Sequence, residues 1–133
     1  MFGFKKKKVE KLPSKKENQL SLEEQSILED ELTEKNNLLL NIQVDNKPQL
    51  AYVCEQIGII QAKLNLTDEA IQSLEKSLEY EASIGEGYKK LMGLYNEKRI
   101  AAAYSGDDEK IDYYMGKMDE MRQIAKKLTI SRK

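Results

Sequence analysis

Histidine is absent from the 133 residues. With it go the commonest general base and the commonest zinc ligand. Cysteine occurs once, as Cys54, so no internal disulfide can form. Cys54 stands between Val53 and Ile57 on an apolar stripe beside Gly58, the setting of a small buried hydrophobe rather than a nucleophile. The acids Asp107, Asp108 and Glu109 lack the ligand spacing of a calcium loop and suit a helix N-terminus instead. No enzyme is expected, and no metal or cofactor. No apolar run approaches the about 18 residues of a membrane span. The early lysines are not followed by the apolar core of a secretory signal. A reducing cytoplasm is the simplest location. Proline is scarce, with only Pro13 and Pro48, and β-branched residues never cluster.

Glu, Lys, Leu and Ala dominate instead, all good helix formers, so the expected class is all-α. Hydrophobic residues at 40% and charged ones at 34% describe a thin core under a large solvated surface. The length allows one domain with a modest core. The net charge of −1 conceals a division. Within residues 1–19, seven lysines against Glu10 and Glu17 give +5, which leaves −6 for the rest. A basic tail over 1–19 followed by a helical domain over 20–130 is the expected organisation.

Five helices follow from the periodicity. Ser21 and Glu24 in SLEE form a capping-box pattern, after which Leu28, Leu32, Leu39 and Ile42 share one face, interrupted by Lys35. This helix is expected over about 22–42. Pro48 suits the start of a second helix, whose stripe is Leu50, Val53, Ile57, Ile60 and Leu64. Asn65 or Thr67 can cap a third, with Asp68 and Glu69 in its first turn and Ala70, Ile71, Leu74 and Leu78 as its stripe. SIGEG at 83–87 marks a turn. A fourth helix runs from Tyr88 through Leu91, Met92 and Tyr95 to Tyr104, and SGDD at 105–108 ends it. The last helix carries Ile111, Tyr114, Met118, Met121, Ala125 and Leu128 in a heptad pattern. The spacing of Met92, Met115, Met118 and Met121 favours core over an adaptable binding surface. A final stripe left uncovered within the chain would permit a homodimer through 108–128.

Residues 51–84 resemble a tetratricopeptide repeat, a pair of antiparallel helices with a 34-residue period. Ile57–Gly58 stand at its bulky-small pair, Asn65 at its turn glycine, Glu69–Ala70 at its Glu-Ala, Leu74 at its bulky aromatic, and Ser77–Leu78 at its Ala-Leu. The sequence departs from the pattern at Cys54, Gln61 and Ala82. One period on, Tyr88, Leu91 and Tyr95 recover the aromatic, leucine and tyrosine positions, with Met92 where a small residue is usual. The turn glycine then arrives at Gly106, about two helical turns late. An unrelated helical bundle is the alternative. The resemblance implies antiparallel pairs in a right-handed superhelical array. The first helix of each pair would line a concave face that receives a segment of a partner protein. That face would present Tyr52, Glu55, Ile59 and Ala62 from the first copy and Lys89, Asn96 and Arg99 from the second, with specificity expected from Tyr52, Glu55, Lys89, Tyr95 and Asn96. Known members clamp a C-terminal carboxylate with Lys and Asn. Glu55 and Ile59 at the matching positions argue against that ligand, and plain solvated surface is the competing reading. The Lys-, Asn- and Ile-rich usage points to a bacterial source, no more.

The stretch MFGFKKKK supports a second function class. Phe2 and Phe4 beside Lys5, Lys6, Lys7 and Lys8 could hold a peripheral helical bundle on an anionic membrane, such as the inner face. Position 2 is not glycine, so myristoylation has no acceptor. A solubilising terminus is the plainer reading. Nucleic-acid contact through these lysines would be weak and nonspecific.

Overall fold

A computed structural model describes residues 19–131. The expectations for Phe2, Phe4, Lys5, Lys6, Lys7 and Lys8 lie outside the described residues. Among those described, the chain forms five helices and no strand. They are α1 (Leu22–Leu40), α2 (Lys47–Lys63), α3 (Thr67–Tyr80), α4 (Glu86–Ser105) and α5 (Asp108–Ser131). No helix among the described residues is long and apolar enough to cross a membrane.

The capping box at α1 is complete. Glu24 N–H donates to Ser21 Oγ at 3.0 Å, and Ser21 N–H donates to Glu24 Oε1 at 3.1 Å. No side chain of α1 is fully buried. Leu28, Leu32, Lys35 and Leu39 are half-covered, which draws a single narrow stripe where the helix packs on α2. Asn46 caps α2 by accepting from Gln49 N–H, with Pro48 in the first turn. α2 is the most buried element, because α1, α3 and α4 all pack against it.

α2 and α4 end in the same way. After α2, Leu66 N–H donates to the Gln61 carbonyl at 2.9 Å and Asn65 N–H to that of Ala62 at 3.0 Å. After α4, Asp107 N–H donates to Ala102 at 2.9 Å and Gly106 N–H to Ala103 at 3.2 Å. Both are Schellman closures, which need a left-handed residue. Asn65 (φ 64°) and Gly106 (φ 72°) supply it. The following helices start differently. Asp107 caps α5 through Lys110 N–H at 3.2 Å, whereas α3 begins at Leu66 with no side-chain cap. The N-cap position of α3 is Leu66, one residue past Asn65 and one before Thr67, so neither expected residue stands there. Asp68 and Glu69 still place negative charge in its first turn.

α2 and α3 approach closely at Gly58. A Cβ built there would lie 2.6 Å from Leu74 Cγ and 3.3 Å from the Ala70 carbonyl oxygen. Ala70 and Leu74 are themselves 0% and 1% exposed. Two hydrogen bonds flank the contact, Ser73 Oγ to Gln61 Oε1 at 2.6 Å and Ser77 Oγ to the Ala51 carbonyl at 2.7 Å. The core continues through Leu91, Leu94 and Tyr95 of α4 to Met121 of α5. The Tyr88 hydroxyl donates to the Met121 carbonyl at 2.9 Å, and the Tyr95 and Tyr114 rings meet at 6.2 Å. Met92 and Met118 pack partly buried against this core, but Met115 is 50% exposed and does not join it.

Candidate surface on the second and fourth helices

The residues expected on a shared face do not stay together. Tyr52 and Ile59 lie on α2. Tyr52 is 58% exposed, and Gln56 Nε2 donates to its hydroxyl at 2.9 Å across one helical turn. Ile59, two turns from Tyr52, is half-buried and rests its inner side on the core. Gln56 Oε1 is buried and meets no donor. Aromatic, amide and aliphatic side chains thus form one patch on the best-anchored helix. Sequence reasoning missed Gln56, although its spacing of four from Tyr52 was a legible signal.

Glu55 has another task. Its Oε2 accepts from Gly87 N–H at 2.7 Å, so a carboxylate of α2 sits at the N-terminus of α4. The unsatisfied amides and the helix dipole there favour it. The two chains come so near that a Cβ on Gly87 would lie 2.6 Å from Glu55 Cγ. Glu55 is therefore a strut between α2 and α4 rather than a free surface charge. Lys89 is exposed on α4. Asn96, half-buried, turns to its own helix: its Oδ1 accepts from Arg99 Nε at 3.1 Å and Nη2 at 2.7 Å. That pair borders a cleft with Met115, Met118, Asp119 and Arg122 at the α4–α5 edge.

Tyr95 is a correction. It was expected to give specificity on the surface, but it is 2% exposed. Its ring packs with Leu91, Leu94 and Leu74, and its hydroxyl donates to Glu75 Oε2 at 2.5 Å. Burial first, and then this carboxylate, hold the phenol far above its ordinary pKa. The i, i+3, i+4 run of Leu91, Leu94 and Tyr95 already marks a core-facing stripe. Cys54 is 5% exposed, and burial pushes its thiol upward despite nearby Lys76. Among the described residues no three His, Cys, Asp or Glu side chains gather as around a metal ion. Compared with known protein families, curated proteins and solved structures, the chain matches none.

Proposed function

We propose that the chain is a non-enzymatic protein-interaction module, a small tetratricopeptide-like adaptor of the cytoplasm. It binds a segment of another protein on a pre-formed helical surface centred on Tyr52. The observation that carries this reading is an exposed aromatic ring, tied by Gln56 and flanked by Ile59, on the helix that three neighbours hold in place. Tyrosine anchors of this kind concentrate binding energy, because a large ring is fixed at little entropic cost. The kinship with tetratricopeptide repeats is supported by the Gly58–Leu74 approach, by the matching left-handed turns at Asn65 and Gly106, and by α2 lying against α4. Lys89 extends the surface along α4.

Tyr52→Ala is the decisive variant. Cross-linking in the native host, with wild type and variant compared, should capture a partner that the variant loses by tenfold or more, at unchanged helicity. Equal capture by both proteins would sink the proposal. Lys89→Glu is a suitable companion. Glu55→Lys is not, because it removes the acceptor at Gly87 and disturbs the fold itself.

A further inference from the structure

A second feature, sharing no residue with that patch, is the cleft between α3 and α5. Its floor is apolar, made by Leu78, Leu91, Met121 and Ile124. Its rim is ionic, with Glu75, Glu79 and Glu120 against the single cation Lys117. Lys117 Nζ reaches Glu75 at 3.8 Å and Glu120 at 3.5 Å, so one ammonium is shared between two of three carboxylates. Tyr95 also lines the cleft and donates its hydroxyl to Glu75. The volume, about 200 Å³, exceeds the roughly 150 Å³ that suffices for a benzene ring. An apolar floor beneath a net-negative rim suits an aromatic side chain followed by cations.

The chain carries such a segment itself, FGFKKKK at residues 2–8. We propose that this stretch docks in the α3–α5 cleft of its own chain, with a phenylalanine ring on the floor and the lysines against Glu79, Glu120 and Glu75. The connection is long enough. The described chain starts at Gln19, which borders Leu64 and Asn65 just before α3. From there Glu75 and Glu79 lie about 12–18 Å along the helix. The fifteen positions from Phe4 to Gln19 can span up to about 50 Å when extended. Charge favours the same pairing, since residues 1–19 carry +5 and the remainder −6. The carboxylates of α1 offer charge as well, but α1 buries no side chain.

Methyl-labelled NMR of the full chain tests the proposal independently of the Tyr52 surface. Replacing Phe2 and Phe4 together by serine should shift the methyls of Leu78, Leu91, Met121 and Ile124. Trypsin cleavage after residues 5–8 should become several-fold faster. Glu79→Lys with Glu120→Lys, both at exposed positions, should give the same acceleration with helicity retained. Cleft methyls that ignore the phenylalanine substitutions would overturn the proposal, as would shifts confined to α1 or to the Tyr52 patch. Shifts that fade on tenfold dilution would assign the cleft to a second copy and overturn docking within the chain. Protection from trypsin that appears only with anionic vesicles would overturn it in favour of a lipid surface.

Discussion

Two glycines inside helices behave oppositely because of what faces them. At Gly58 an added methyl meets Leu74 at 2.6 Å. Gly58→Ala should therefore destabilise by about 1–3 kcal/mol through overpacking, partly offset by the better helix propensity of alanine. At Gly93 nothing lies within 4 Å, so Gly93→Ala should stabilise by about 0.5–1 kcal/mol. Urea midpoints at constant slope read both. The tyrosines form a second contrasting pair. Tyr95→Phe removes a buried donor to Glu75 and should cost about 1 kcal/mol of stability without touching partner capture. Tyr52→Ala, at an exposed ring, should do the reverse.

At the scale of elements, α1 is held least firmly. It has no buried side chain, and a capping box fixes its start. Ser21→Ala should cost about 1 kcal/mol within that helix. Hydrogen exchange is expected to show α1 amides losing protection first, ahead of those in α2 and α3. Uniform protection across all three helices would contradict that ranking. Helix existence and approximate boundaries were legible in the sequence, since the stripes at three- and four-residue spacing, SLEE, Pro48 and Gly106 each act locally. The α2–α3 contact was legible too, through Gly58. Side-chain assignments that depend on a third helix were not. Glu55 looks like a surface acid until Gly87 arrives beside it, and the Tyr95–Glu75 pair joins positions twenty residues apart with no pattern to announce it. The start of α3 misled for a local reason, because its N-cap position falls on Leu66, between the two residues expected there.

Across the whole molecule, the charge pattern sets the pH response. No histidine is present, so no side chain ordinarily titrates near neutrality. The Lys98 ion pair holds Asp68 below its usual value near 3.8, so its contribution is present above that value and lost as pH falls through the lowered one. This contribution is small, because Asp68 is exposed. Its hydrogen bond to Asp68 raises Lys98. For Lys117, burial acts downward, but Glu75 and Glu120 outweigh it. Both lysine contributions are complete below the ordinary 10.5 and disappear only as pH rises through the raised values. Thermal midpoints should therefore stay level from about pH 5 to 9, and a step near pH 6.5 would contradict that expectation.

The sealed position of Cys54 turns the only thiol into a chemical clock. A maleimide or disulfide reagent reacts with thiolate, and here the sulfur is both covered and disfavoured as an anion. Alkylation must then wait for α2 to part from its neighbours, so its rate follows the population of opened molecules. Any ligand that prefers the closed form should slow that clock in proportion to its occupancy. Candidate partners can thus be ranked by mass spectrometry without a label or a known activity.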